Sequence, residues 1–238
     1  MTELIKATDR HFAATGWLKS HFLFSFADYY NPNNVHFGPL RVFNDDVVAP
    51  KSGFPQHPHS EMEIITIVLD GEVAHEDSLG NKTTIGAGEV QRMTAGTGIT
   101  HSEQNNQDKE LHLYQLWFLS NKKGLQPSYE QKRIDFLDAK NELIPLVTGQ
   151  KVLEDVVFMN SNSTVYYGNF RDDKEYNFQT FNIRGTLLYL TEGELFVNGH
   201  QLLQNDQLRI TDVDLVTIKA AKDSNFILID VPMVQANY

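Results

Sequence analysis

The sequence predicts an all-β protein with two β-barrels in one chain. Three observations carry this. Val/Ile/Thr/Tyr/Phe-rich runs of about five to eight residues alternate with Gly/Asn/Asp turns over most of the chain, as strands of a sandwich or barrel do. The second half repeats the turn chemistry of the first. Only one short segment, Ile134–Glu142, reads as a helix.

In chain order, the clear strands of the first half are Glu63–Leu69, Val73–Glu76, Lys82–Ile85, Glu89–Thr94 and Leu111–Leu119. Their turns are Asp70-Gly71, Leu79-Gly80-Asn81 and Gly86-Ala87-Gly88. Gly and Asn tolerate the positive φ that tight hairpins require. From Asn121 to Gln150 the pattern breaks into Lys122-Lys123-Gly124, Pro127, a charged run at Tyr129–Arg133, and Pro145. A second β series follows: Thr164–Phe170, Tyr176–Phe181, Thr186–Thr191, Glu194–Val197, Gln207–Thr211, Leu215–Lys219 and Phe226–Val231. The expected organisation is a first barrel over 1–125, a connecting segment over 126–150, and a second barrel over 151–238.

The two series align. Leu69-Asp70-Gly71-Glu72-Val73 matches Thr191-Glu192-Gly193-Glu194-Leu195, and Glu89–Thr94 matches Asp206–Thr211. Self-similar units of this kind point to a duplication. The first offset places His57 and His59 on Gln179 and Phe181. The second places His101 and Glu103 on Ile218 and Ala220. One barrel keeps these polar residues and the other loses all four.

Composition narrows the chemistry. Hydrophobic residues make up 41% and charged residues 21%, ordinary for a globular protein. The net charge of −11 disfavours direct nucleic-acid binding. No apolar run is long enough to span a bilayer, and the start, Met1–Lys6, carries no signal-peptide pattern; a cytoplasmic protein is expected. There is no cysteine, so any metal must be held by N and O ligands. No phosphate-binding loop or Gly-x-Ser-x-Gly hydrolase signature is present.

Two short elements supply such ligands. His57-Pro58-His59 and His101-Ser102-Glu103 each place two candidate ligands at i and i+2, on one face of an extended chain. Facing one another, they offer three imidazoles and a carboxylate. That set suits a divalent transition metal and leaves positions open on an octahedral ion. Glu63 lies four residues beyond His59, at the same parity, and is expected beside the site, either supporting the ligands from behind or acting as an acid/base group. The bland alternative for Glu63 is a strand-end carboxylate paired with a cation. His75 and His112 read as surface or hydrogen-bonded structural residues.

The surrounding strings sharpen the reading. Gly53 precedes His57-x-His59, and Gly88-x5-Thr94-Ala95-Gly96-x4-His101-x3-Asn105 follows; both resemble the signature motifs of the cupin superfamily. Phe54-Pro55-Gln56-His57-Pro58-His59-Ser60-Glu61-Met62-Glu63 and Arg92-Met93-Thr94-Ala95-Gly96-Thr97-Gly98-Ile99-Thr100-His101-Ser102-Glu103 look like the pirin family, as do Ala74–Ser78 and Leu113–Trp117. The resemblance is dense in the first half and covers the second only as layout. It implies two cupin barrels with one metal site, the ligands mapping onto His57, His59, His101 and Glu103. Fe(II) is the expected ion, with Zn, Mn, Ni, Co and Cu as alternatives. The bacterial pirin-like branch implies a quercetin 2,3-dioxygenase, opening a planar flavonol-type substrate with O2. Glu103 or Glu63 would then take the substrate's hydroxyl proton. The alternative from the same resemblance is a non-enzymatic metal-responsive or partner-binding protein, a transcription co-regulator of the pirin type.

Overall fold

β-Branched and aromatic side chains fit a pleated surface that is buried on one or both faces, and the regular structure of the chain is almost all strand. The computed structural model describes residues 1–233; the last five residues of the expected 151–238 unit lie outside them. Among the described residues the one helical element is a single 3-10 turn, Ala7–Asp9. Among the described residues no helix is long and apolar enough to cross a membrane.

Each half is a seven-stranded sheet facing a four-stranded one. In the first half the large sheet runs in the order Ser128–Arg133, Glu89–Thr94, Met62–Asp70, Leu111–Leu119, Leu40–Val48, Leu18–Phe22, His11–Thr15. The small sheet runs Ser52–His59, Ile99–Asn105, Glu72–Asp77, Lys82–Gly86. The second half repeats this plan. Its large sheet runs Thr2–Ile5, Gln207–Thr211, Arg184–Glu192, Ser224–Pro232, Thr164–Phe170, Glu142–Thr148, Val157–Phe158, and its small sheet Lys174–Gln179, Leu215–Ala220, Glu194–Val197, His200–Leu203.

Three expectations change. The segment 134–142 is a turn and not a helix: Phe136 is fully buried in the core shared by the halves, and Ile134 donates its backbone N–H to Gly88. Burial of one aromatic ring there outweighs a weak local helical preference. The segment 126–150 is strand at both ends, Ser128–Arg133 in the first sheet and Glu142–Thr148 in the second. The opening strand Thr2–Ile5 lies in the second half's sheet, paired with Gln207–Thr211.

The halves pack through their large sheets. One apolar cluster spans this seam, with Phe43, Ile65, Tyr114 and Phe118 from the first half and Val165, Leu187, Tyr189 and Ile229 from the second. Tyr189 Oη donates across it to Asp45 Oδ2 at 2.7 Å. Inside the second half lies one continuous apolar cluster. Inside the first half the apolar residues form two small clusters, one around Val68, Leu111 and Leu113 and one around Ile64, Met93 and Ile99. The polar residues of the site lie in this same barrel.

Candidate metal centre

Strand alternation decides what points inward. On Ile99–Asn105 the buried residues are Ile99, His101, Glu103 and Asn105, and those between are half-buried. His101 lies opposite His57, and Ile99 opposite His59. The register then slips, so that Glu103 meets Phe54 and Gln104 meets Gly53. Gly53 is required there: a Cβ would collide with the backbone of Glu103 and Gln104.

The three imidazoles converge, with one ring nitrogen from each within 4.8 Å of the others. His57 Nε2 and His101 Nε2 are 3.1 Å apart. His57 Nδ1 sits 2.8 Å from the Pro55 carbonyl; donation to that oxygen fixes the proton on Nδ1 and leaves the Nε2 lone pair facing inward. Burial, with the neighbouring His101 and His57, pushes His59 down to about 4. Burial also pushes His101 down to about 4, against the opposing pull of Glu103. His59 and His101 are therefore neutral near pH 7, the state that binds metal. His59 Nε2 and His101 Nδ1 are buried with no hydrogen-bond partner among the described residues. Cis nitrogen ligands at roughly 2.1 Å from an octahedral ion stand about 3 Å apart, close to the His57–His101 spacing. The donor set thus fits a divalent ion.

Glu103 is buried, and its oxygens are held from three sides. Thr66 Oγ1 donates to Oε1 at 3.1 Å, Gln91 Nε2 to Oε1 at 3.4 Å, and Gln115 Nε2 to Oε2 at 2.6 Å. Trp117 Nε1 donates in turn to Gln115 Oε1 at 3.1 Å. Glu103 groups with His101 and with a residue read from the sequence as peripheral, His75; their ligand atoms also lie within 4.8 Å of one another. His75 is fully buried, with Nε2 3.1 Å from Asp77 Oδ2 and Nδ1 unpartnered. The signal was present: His75 and Asp77 form a third i, i+2 pair.

Glu63 is placed elsewhere, which corrects its expected position. Glu61 takes a left-handed backbone, φ +57°, between the two strands, so parity counted from His59 does not carry through. On Met62–Asp70, Ile65 and Ile67 belong to the seam, and Glu63 is on their face. Its Oε2 accepts from the Asn160 backbone N–H at 2.9 Å and from Thr94 Oγ1 at 3.1 Å. Burial raises its pKa, opposed by the Asn160 N–H and the Arg92 charge. Glu63 ties the halves together.

The second half also corrects the alignment. Ile218 faces Tyr176 and Val216 faces Phe178, so the positions of His57 and His59 are held by Tyr176 and Phe178, not by Gln179 and Phe181. The turn after them is longer, 180–183 against 60–61, which shifts the register. The expected strand Tyr176–Phe181 is accordingly Lys174–Gln179, and Phe181 is 60% exposed. Ile218 and Ala220 hold the His101 and Glu103 positions inside the second core.

Comparison with known proteins meets this geometry. A family model described as pirin matches residues 5–118, and one described as a quercetinase C-terminal cupin domain matches 146–231. Escherichia coli K12 quercetin 2,3-dioxygenase is 40% identical over 235 residues, covering 98% of this chain and 100% of that protein. The chain belongs to the pirin family. A pirin-like protein of Caulobacter vibrioides is 38% identical over 215 residues, covering 90% of this pirin and 93% of the relative. The crystal structure of the bacterial pirin YhhW from Escherichia coli in complex with nickel(II) superposes with a TM-score of 0.92 at 39% identity, covering 98% and 100% of the two chains.

Proposed function

We propose that this protein is a metal-dependent dioxygenase that opens a flavonol-type ring with O2. The observation that carries this reading is the convergence of three imidazoles, two of them half-exposed, beside a buried carboxylate. The full-length similarity to a protein named quercetin 2,3-dioxygenase supports it. His57, His59, His101 and Glu103 are the proposed ligands. Fe(II) is the proposed native ion, and the nickel(II) complex of a relative supports the divalent class. A bound ion would supply Lewis-acid charge and, if redox-active, electrons for O2.

The chain's own residues do the rest. Pro55 holds His57 in the tautomer that turns Nε2 inward. Thr66, Gln91 and Gln115 aim Glu103. Glu103 is the buried carboxylate at the site and accepts the substrate's hydroxyl proton; Glu63, at the seam, takes no part. Trp117 stands edge-on to His59, with ring centroids 4.7 Å apart, and excludes water from that side.

The test is O2 uptake with quercetin by metal-loaded, desalted protein, compared with His101→Ala treated identically. Equal uptake by both across Fe, Mn, Ni, Co and Cu would end the dioxygenase reading. A second reading, a metal-responsive interaction protein, would then lead. It draws on the exposed Phe181, Ile183, Phe196, Leu203 and Leu215 of the second half, and a pull-down with metal-loaded protein would be its first test.

A further inference from the structure

His75 is a buried imidazole of the first barrel that the function above leaves without a role. It lies on Glu72–Asp77, and Ile99–Asn105 runs antiparallel beside that strand, with His75 opposite Glu103 and Asp77 opposite His101. Residues 75 and 77 share one face of their strand, as 101 and 103 share one face of theirs. The side chains of His75 and Asp77 are both shut off from solvent. The His101 ring lies 5.3 Å from the His75 ring, centroid to centroid. In the second half, Leu195 and Val197 hold the positions of His75 and Asp77, opposite Ala220 and Ile218. All four belong to the apolar core there, so that barrel has neither this pair nor the candidate ligands.

Hydrogen-bond directions locate the protons. Asp77 Oδ1 accepts from the backbone N–H groups of Leu79 and Asn81 at 2.9 and 3.1 Å, and Oδ2 accepts from Asn81 Nδ2 at 2.8 Å. A carboxylate surrounded in this way only accepts, so His75 Nε2, 3.1 Å from Oδ2, is the donor. A neutral ring with its proton on Nε2 has a bare lone pair on Nδ1. The same accounting applies to His101. His57 keeps its proton on Nδ1 against the Pro55 carbonyl and offers Nε2 as an acceptor, so His101 Nε2 donates across the 3.1 Å contact between them. His101 Nδ1 is then bare as well. Two bare nitrogens cannot bond one another, and both Nδ1 atoms are buried without a partner among the described residues.

Ligation changes the demand at His101. Once its Nε2 lone pair serves an ion, its proton stands on Nδ1. That N–H is closed to water and needs an acceptor. One ligand-type atom from each of His75, His101 and Glu103 lies within 4.8 Å of the others. The Glu103 oxygens already accept from Thr66, Gln91 and Gln115, whereas the His75 Nδ1 lone pair is unclaimed. We propose that His75 is a positioning residue for the ligand His101, its Nδ1 accepting the His101 Nδ1–H. Asp77 holds the His75 proton on Nε2 and so keeps that lone pair open. The chain Asp77–His75–His101 selects the tautomer in which His101 Nε2 is bare beside His57 and His59. The proposal rests on the metal reading above and is independent of the substrate.

The experiment uses zinc(II), which is diamagnetic and accepts N and O ligands. Nitrogen NMR of the imidazoles in the full chain, with and without zinc, reads the tautomers, and competition against a chromophoric chelator reads the affinity. Zinc should move the His101 proton from Nε2 to Nδ1 and slow its exchange with water. Asp77→Asn keeps the side-chain volume, but its NH2 donates to His75 Nε2 and puts the His75 proton on Nδ1, against the His101 N–H. His75→Leu removes the acceptor. Both should weaken zinc binding about 10–100-fold. His75→Gln can donate to Asp77 and accept from His101 through one amide, and should return affinity to within about threefold of wild type. A histidine that only fills space would alter the unfolding midpoint and leave the His101 tautomer alone. The proposal is overturned, with the metal site intact, if zinc-bound wild type keeps the His101 proton on Nε2 or shows His75 Nδ1 shifted as a direct ligand. It is overturned too if Asp77→Asn binds zinc as wild type does, or if His75→Gln binds no better than His75→Leu. If wild type binds no zinc, the metal reading falls and takes this proposal with it.

Discussion

Glu103→Gln separates a ligand from a bystander, because the hydrogen-bond network can absorb an amide. Gln115 must keep its orientation: Nε2 donates to Glu103 Oε2, and Oε1 accepts from Trp117. The new side chain should therefore set its amide oxygen toward Gln115 and its NH2 toward Thr66 and Gln91. Thr66 Oγ1 can accept there. Gln91 Oε1, buried and unpartnered, can turn to accept too. The apo-protein should lose about 1 kcal/mol or less by urea denaturation, since no buried group need be orphaned. Metal binding should respond very differently. Removing an outer partner of a ligand lowers affinity about 10–100-fold; removing a direct anionic ligand should exceed that range. Competition against a chromophoric chelator measures this. A loss above about 100-fold supports direct ligation. Affinity within about threefold of wild type, in a variant of unchanged stability, would refute the placement of Glu103 on the ion.

Three further outcomes follow from the same geometry. His59→Ala should lose metal with little change in apo-stability, whereas Phe178→Ala at the equivalent position should keep metal and lose about 3–5 kcal/mol, read by metal analysis and thermal unfolding. His75→Leu should weaken metal binding by at least about tenfold, because it removes the buried imidazole between Asp77 and the His101–Glu103 pair; unchanged affinity would leave His75 purely structural. Asp46 has a folded pKa raised to about 7, so between the unfolded value and that pH the folded state binds the extra proton. Its contribution is full below about pH 4 and is lost as pH rises toward 7. Asp46→Asn should therefore gain on wild type over that window, by up to about 4 kcal/mol; parallel stability curves from pH 4 to 7 would contradict this.

Period-2 reasoning succeeded where strands are regular and failed where the backbone is not. His57, His59 and His101 were legible because each pair sits within one strand. Glu63 was not, because parity was counted across Glu61, whose left-handed φ resets which face comes next. The helix expected over 134–142 failed because Phe136 answers to the seam, a contact between halves that local periodicity does not encode. The duplication was legible at its Gly turns. The longer turn over 180–183 then slid the alignment past Tyr176 and Phe178, which only the pairing register reveals. His75–Asp77 passed the same i, i+2 criterion as the other pairs, but an acidic hairpin context read as surface.

The second barrel explains the purpose of the first barrel's polar interior. Thr66 pairs with Gln91 and with Gln115. In the repeat, Leu188 pairs with Leu208 and with Leu228. The three residues that hold Glu103 thus become three leucines, and Glu103 itself becomes Ala220; all four lie in the second apolar core. Hydroxyl and amide side chains inside a barrel are unfavourable unless they have partners. In the first barrel their shared partner is the Glu103 carboxylate. Where that carboxylate is absent, the donors have nothing to hold, and apolar side chains pack the same volume more favourably. The loss is concerted, covering the candidate ligands and their support together. The match groups Thr66, Gln91 and Gln115 with Glu103 as one unit of the first barrel that the second barrel lacks.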